Sequence, residues 1–209
     1  MRKPVDIIFF GDSIIACEEL DKDKRWIEKI RHEFTSEHVR VIQKSYNGIT
    51  STDILNELDV LRVEISQSHK LFIVSIGIND SEYLQSLNGH PRVRLKQFSN
   101  NLKTIVEIIR NDFSGDCALL NGHKFHRRRL EGNNQTHNYS FKAYSECINN
   151  IAKEVDCSVI NTYSYCLRSK PIEYCLPLPD GLHLSEKGSN LYFEPIHEFI
   201  SDFLSQYSR

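Results

Sequence analysis

Five short apolar runs alternate along the chain with longer segments of helical periodicity, and this alternation constrains the fold most strongly. The run Leu71–Ile76 is the most continuous, and Val5–Phe10 near the N-terminus is nearly as apolar. Between the runs, apolar residues recur every three or four positions, as in Lys24–Phe34 and Val93–Phe113. Continuous apolar strands joined by helices are typical of a parallel sheet covered on both faces. The sequence therefore predicts an α/β fold with the third of five strands near the centre.

The same pattern gives the element boundaries. Strands are predicted at Val5–Phe10, Val39–Ile42, Leu71–Ile76, Cys117–Leu120 and Ser158–Ile160, and helices at Lys24–Phe34, Ser51–Ile65, Val93–Phe113, Phe141–Val155 and Gly188–Tyr207, the last with a bend expected at Pro195. No internal repeat or low-complexity linker divides the chain, so one domain over residues 1–209 is predicted. The polar segment 122–138 is the longest irregular stretch, which is typical of a lid or a binding loop.

Composition and charge limit the kinds of partner that we expect this protein to bind. The 209 residues carry a formal net charge of −2, so no overall positive field favours nucleic acid. No apolar run approaches the roughly 18 residues that span a bilayer, and the first residues lack the pattern of a secretory leader. We therefore expect a cytoplasmic protein without a membrane span, whose six cysteines are reduced thiols.

Residues suited to catalysis follow each of the first three predicted strands. The first strand is followed by Gly11-Asp12-Ser13, the second by a loop that contains Gly48, and the third by Gly77-Ile78-Asn79-Asp80; a fourth group, Asp180-Gly181-Leu182-His183, lies near the C-terminus. Because ligands bind at the carboxyl ends of the strands in an open parallel sheet, we expect these groups to meet at one edge.

This set of side chains fits acyl transfer. A serine hydroxyl such as that of Ser13 becomes a good nucleophile when a base removes its proton during attack. His183 can accept and return that proton, because imidazole titrates near neutrality. Asp180 lies three residues earlier, a spacing that can place its carboxylate against the imidazole and stabilise the charged form.

The tetrahedral oxyanion of such a reaction needs hydrogen-bond donors. The candidates are the backbone N–H groups of Ser13 and Gly48 and the side-chain amide of Asn79. Each candidate also has a purely structural interpretation. Ser13 and Asp180 could cap helices, Gly48 and Asn79 could serve turns, and His183 could be a surface residue.

The four groups that begin at Gly11, Gly48, Gly77 and Asp180 resemble, in this order, the four sequence blocks of the SGNH (GDSL-type) hydrolase family. Together they span nearly the whole chain. The resemblance implies a flavodoxin-like, three-layer α/β/α fold with a five-stranded parallel sheet. It implies hydrolysis of carboxylic esters through an acyl-enzyme, without cofactor or metal. It assigns the nucleophile to Ser13, the base to His183, the orienting carboxylate to Asp180, and the oxyanion donors to Ser13, Gly48 and Asn79.

The chain departs from the family pattern in two places. The first block reads Gly-Asp-Ser-Ile instead of Gly-Asp-Ser-Leu, and Gln43 stands five residues before Gly48, where the family often has Asn. The second change concerns the support of the loop and leaves the chemistry intact. The Gly-rich signatures of nucleotide sites are absent, and no cysteine or histidine spacing fits a metal site.

Substrate interpretations differ in the size and charge of the ester. The preferred one is a small-molecule ester, such as an O-acetyl group on a sugar or another polar metabolite. The alternatives are a lysophospholipase or thioesterase with a longer acyl pocket, and a catalytically silent protein that binds an acidic ligand. Three arginines, Arg127, Arg128 and Arg129, could bind a carboxylate or phosphate if their loop overhangs the site, or they could be solvated surface residues.

Overall fold

A parallel five-stranded sheet forms the centre of the computed structural model, which describes residues 4–61, 68–83, 90–123, 137–168 and 181–207. The strands are β1 (Val5–Gly11), β2 (Val39–Ser45), β3 (His69–Ser75), β4 (Asp116–Leu120) and β5 (Ser158–Ile160). They pair in the order β2-β1-β3-β4-β5, all parallel, so β3 is the middle strand as predicted. The prediction of a five-stranded parallel α/β sheet is confirmed.

Helices cover both faces of this sheet. In the described residues they are α1 (Ser13–Ala16), α2 (Trp26–Phe34), α3 (Ser51–Leu61), α4 (Leu95–Asn111), α5 (His137–Glu154), α6 (Thr162–Arg168) and α7 (Glu186–Tyr207). The helices α3, α4 and α5 pack side by side, whereas α2 and α6 each pack on α7. This arrangement gives three layers, α/β/α. Within the same ranges, no helix is long and apolar enough to cross a membrane.

The hydrophobic core forms on both faces of the central strands, which are covered by helices on each side. Every residue of β1 is buried, whereas the edge strand β2 is partly exposed. Trp26, on α2, is fully buried and packs edge-to-face on Phe9, with 5.3 Å between ring centroids. Its indole N–H donates to the Ile14 carbonyl at 3.0 Å, so the apolar contact costs no unpaired polar group.

The observed boundaries differ modestly from the predicted ones. Strands β1 and β2 run further towards their carboxyl ends, because parallel pairing between them continues through Gly11 and Ser45. The helix predicted over Ser51–Ile65 is described as far as Leu61. The short helices α1 and α6 were not predicted, since neither is long enough to show helical periodicity. The last helix runs from Glu186 to Tyr207 with Pro195 inside it.

The order of the strands explains where a site can form. The chain leaves β1 towards β2 on one side, and then crosses to β3 on the other side of β1. The carboxyl ends of β1 and β3 are level, because Gly11 pairs with Ser75. The two backbones are so close there that a Cβ on Gly11 would lie 2.0 Å from the Ser75 carbonyl oxygen. The crevice at such a reversal of strand order is the usual ligand position in open α/β sheets.

Candidate active site

Ser13 is the first residue of α1, directly after the sheet edge. The helix cap is Asp12, whose Oδ1 accepts a hydrogen bond of 3.0 Å from the Ile14 backbone N–H. The capping interpretation therefore applies to Asp12, and the Ser13 hydroxyl is not needed for it. Ser13 is 9% exposed, so its side chain lies at the floor of the site.

His183 lies beside Ser13, although 170 residues separate them in sequence. Its Nε2 is 3.0 Å from the Ser13 Oγ, a hydrogen-bond distance. The His183 side chain is 18% exposed, so it is partly shielded from solvent and still open on one side. A serine and a histidine in this contact can transfer a proton between the hydroxyl and the imidazole.

A second, fully buried histidine holds the loop that carries His183. The Nε2 of His123 is 2.9 Å from the Leu182 carbonyl oxygen, and its Nδ1 is 2.7 Å from the Tyr192 hydroxyl. A carbonyl only accepts, so Nε2 carries the proton and Nδ1 accepts from the phenol. Burial raises the pKa of Tyr192, which keeps this phenol protonated and able to donate. No sequence signal singles out His123, three residues after β4, and only the folded chain brings it to Leu182.

The candidate oxyanion donors surround the same edge. Asn79 is 9% exposed, and its Nδ2 donates one hydrogen to the Ile49 carbonyl at 3.0 Å, which leaves the second amide hydrogen for a ligand. Gly48 has φ of +74°, a conformation that strains other residues, and a Cβ there would meet nothing within 4 Å. In the described part of the chain, the N–H groups of Ser13 and Gly48 donate to no acceptor.

Two buried aspartates brace this edge. Asp80 accepts from the backbone N–H of Ser51 at 3.0 Å and from its hydroxyl at 2.5 Å. Burial raises the pKa of Asp80 to about 6, against the opposing effect of these hydrogen bonds. Burial and repulsion from Asp80 raise the pKa of Asp12 to about 7, and Asp12 Oδ2 has no hydrogen-bond partner among the described residues. Asp12 and Asp80 thus fix the starts of α1 and α3.

Gln43 occupies the position where the family often has Asn. Its amide donates to the Ser45 hydroxyl at 2.9 Å, and its carbonyl accepts from Arg31 at 3.2 Å. These contacts hold the end of β2 rather than the turn at Gly48. Support of that turn comes instead from Asn47, which donates to Glu18 at 3.0 Å.

The structure adds Glu19, which sequence reasoning missed. Its Oε1 lies 3.2 Å from the same His183 Nε2 that faces Ser13, and its side chain is 31% exposed. Glu19 belongs to no sequence motif. Its position depends on the left-handed conformation of Cys17, whose φ is +47°, and a sequence pattern does not show that turn. Burial raises the pKa of the Cys17 thiol to about 12, and Glu19 adds to that rise, so Cys17 is no thiolate rival to Ser13.

Other predicted site residues lie outside the described ranges. Asp180 and the three arginines Arg127, Arg128 and Arg129 belong to this group, so their predicted roles stay predictions. Within the described ranges, no three His, Cys, Asp or Glu side chains are grouped so that they could hold a metal ion.

A serine hydroxyl in contact with an imidazole, in an open α/β sheet with a reversal of strand order, is an arrangement suited to hydrolysis by a serine nucleophile. Residues 9–191 match the family described as "GDSL-like Lipase/Acylhydrolase family". The chain belongs to this family, and the predicted resemblance is confirmed.

Similar proteins extend this result. The chain is 24% identical over 171 residues to the GDSL esterase/lipase WDL1 of Oryza sativa subsp. japonica; the match covers 78% of this chain and 65% of the rice protein. A member of the lipolytic protein G-D-S-L family from Veillonella parvula DSM 2008 superposes with a TM-score of 0.73 at 17% identity, over 93% of this chain and 97% of that one. Axe2, an acetylxylan esterase from Geobacillus stearothermophilus, gives 0.68 at 16% identity over 94% of each chain. These likenesses confirm the predicted fold.

Proposed function

We propose that this protein is a serine-dependent carboxylic ester hydrolase that removes a short acyl group, such as acetyl, from a polar or carbohydrate-like alcohol. The observation that carries the proposal is the 3.0 Å contact between Ser13 Oγ and His183 Nε2. Family membership supports the reaction class, and the structural similarity to Axe2, an acetylxylan esterase, supports the choice of acyl group and alcohol.

In the proposed acylation step, the Ser13 Oγ attacks the carbonyl carbon of the ester while its proton passes to His183 Nε2. The carbonyl oxygen becomes an oxyanion, which accepts hydrogen bonds from the N–H groups of Ser13 and Gly48 and from the free amide hydrogen of Asn79. When the tetrahedral intermediate collapses, the C–O bond to the alcohol breaks and His183 returns the proton to the leaving oxygen. Asp180 is proposed to hold the opposite nitrogen of the imidazole.

Deacylation repeats the same steps with water. His183 takes a proton from a water molecule, whose oxygen attacks the acyl carbon of the Ser13 ester. The carboxylic acid leaves, and Ser13 recovers its hydroxyl proton from His183. No cofactor takes part in this proposed sequence.

The test uses a fluorophosphonate probe, which forms a covalent bond with an activated serine. We expect stoichiometric labelling of the parent protein at Ser13, located by peptide mass spectrometry, and none in Ser13→Ala. Ser205→Ala is the matched control, because Ser205 is an exposed serine on α7 whose hydroxyl donates only within its own helix. Labelling that persists in a folded Ser13→Ala protein would refute the proposal.

A series of p-nitrophenyl esters from acetate to decanoate separates the proposed activity from the alternatives. The proposal predicts that kcat/KM is highest for acetate and falls with chain length. A maximum at eight or more carbons would favour the lysophospholipase or thioesterase interpretation. The absence of turnover, together with the absence of labelling, would favour a binding protein.

A further inference from the structure

Glu19 occupies a position beside the proton-transferring nitrogen of His183. Its Oε1 is 3.2 Å from Nε2, and the Ser13 Oγ is 3.0 Å from the same atom. The general mechanism requires Ser13 and His183 but gives no role to a carboxylate on this nitrogen. The contact therefore calls for a separate explanation.

The turn that carries Glu19 is held by several hydrogen bonds. The chain reverses at Cys17, and the Leu20 N–H closes the turn on the Cys17 carbonyl at 3.1 Å. Arg25 donates to the Leu20 carbonyl at 2.8 Å and to the Glu18 carbonyl at 3.3 Å. The backbone on both sides of Glu19 is thus anchored by one guanidinium.

The same turn is linked to the candidate oxyanion loop. The Glu18 carboxylate accepts from the Asn47 side chain at 3.0 Å, and Asn47 directly precedes Gly48. The turn and the loop are therefore tied to each other, and Glu19 reaches His183 from a turn whose backbone is held in place.

The chemistry of the imidazole limits what Glu19 can do there. During attack, the single lone pair of Nε2 accepts the Ser13 proton, so a carboxylate cannot also bond to this nitrogen. The Glu19 oxygens are then acceptors without a donor from His183. In the second half of acylation, the leaving alcohol oxygen must approach Nε2 to receive the proton, which brings the alcohol past Glu19.

We propose that Glu19 is a specificity-determining residue that accepts a hydrogen bond from a hydroxyl on the carbon next to the ester oxygen. The proposal rests on the proposed esterase function and narrows its substrates to esters of vicinal polyols, of which sugars are one kind. The oxygen of such a hydroxyl lies within hydrogen-bonding range of the leaving oxygen, and so it reaches Glu19 when the leaving oxygen reaches Nε2. An anionic alcohol would meet repulsion from the same carboxylate.

The test compares three acetates that differ at one position of the alcohol: 2-hydroxyethyl acetate, 2-methoxyethyl acetate and ethyl acetate. The methoxy compound keeps the oxygen and the inductive effect of the hydroxy compound, adds one methyl group and has no donor; ethyl acetate lacks the oxygen altogether. For the parent protein we expect kcat/KM for the hydroxy compound to exceed that for the methoxy compound about tenfold or more, since a hydrogen bond to a charged group is gained.

Substitution of Glu19 should reduce the preference for the hydroxy compound over the methoxy compound. In Glu19→Ala the hydroxy/methoxy ratio should fall to near one, and in Glu19→Gln, which keeps a neutral acceptor, it should take an intermediate value. Glu107→Ala is the matched control, because Glu107 is an exposed carboxylate on α4 and its loss should leave the ratio at the parent value. The Gln variant keeps the size of the side chain, so it decides the question if Glu19→Ala does not fold.

The outcomes distinguish this proposal from the function on which it rests. A parent protein that hydrolyses all three acetates with a ratio near one, or a ratio that survives in both Glu19 variants, overturns the role of Glu19 and leaves the esterase function standing. A parent protein that hydrolyses none of them and does not react with the fluorophosphonate probe overturns both.

Discussion

Two serines begin helices at the carboxyl edge of the sheet, each beside a buried aspartate, and their hydroxyls have different partners. Ser51, at the start of α3, donates its hydroxyl proton to Asp80 at 2.5 Å and accepts from Asn101 at 2.8 Å. Ser13, at the start of α1, has a hydroxyl 3.0 Å from His183 Nε2, while Asp12 bonds to a backbone N–H instead. Both serines are buried, so burial does not separate them.

The difference teaches how a structural serine and a candidate nucleophile can be told apart. The Ser51 hydroxyl donates its proton to the Asp80 carboxylate, which takes no part in the proposed reaction. The Ser51 oxygen in turn accepts a hydrogen bond from the Asn101 amide. The Ser13 proton faces an imidazole, which can accept it and later return it. Each serine begins a helix that follows a strand, although only Ser13 lies in a Gly-Asp-Ser block, and the tertiary partners show how the two hydroxyls differ.

The largest effect is expected for Ser13→Ala. Because the proposed attack requires the Ser13 oxygen, kcat for p-nitrophenyl acetate should fall by about 10³-fold or more. The midpoint of thermal unfolding should stay within a few degrees of the parent value, because Asp12 still caps the helix. Near-parent turnover in a folded variant would place the nucleophile elsewhere.

The next effect concerns Asp12, whose pKa is raised to about 7 by burial and by Asp80. Between pH 4 and 7 the folded state holds a proton that the unfolded state has released, so this group makes stability decrease as pH rises. Asn resembles the protonated aspartate and cannot titrate. Asp12→Asn should match the parent near pH 4 and gain about 2–4 kcal/mol of unfolding free energy relative to it by pH 8.

Urea unfolding at a series of pH values measures this difference. Asp53→Asn is a suitable control, because Asp53 is an exposed residue of α3 whose carboxylate accepts from the Thr50 N–H. A parallel pH dependence for the parent and Asp12→Asn would mean that Asp12 titrates normally in the folded protein.

A smaller effect is expected at His123, which donates to the Leu182 carbonyl next to His183. His123→Leu should lower kcat about 10–100-fold with little change in KM, because the base is displaced relative to Ser13 while the substrate contacts remain. His123→Gln can still donate from its amide and should recover much of the lost kcat. If kcat falls equally in both variants, or falls only because the variants unfold, His123 has a packing role and does not position His183.

The smallest effect is expected for Ser51→Ala. The change removes one donor from the buried Asp80 carboxylate and one acceptor from Asn101, so we expect a loss of about 1–2 kcal/mol of unfolding free energy. The kcat of the folded variant should stay near that of the parent, in contrast to Ser13→Ala. A loss of turnover comparable to that of Ser13→Ala would contradict the structural role given to Ser51.

Much of the site could be predicted from the sequence because its residues lie next to elements with strong local signals. Ser13, Gly48 and Asn79 each follow an apolar strand, and parallel strands must place their carboxyl ends at one edge. The contacts of Glu19 and His123 could not be predicted, because a left-handed turn brings Glu19 to the site and tertiary hydrogen bonds to Tyr192 and Leu182 hold His123 there. A single domain, a cytoplasmic location and the role of Asp180 stay predictions.

The sequence by itself determined the α/β class, the central position of β3 and the edge at which a site would form, because apolar periodicity and strand-end chemistry are local properties. The tertiary structure decided which hydroxyl meets an imidazole. Ser13 and His183 are 170 positions apart, so no local pattern could place these two side chains in contact. That choice depends on the reversal of strand order beside β1 and on the hydrogen bond from His123 that holds the Leu182–His183 loop against it.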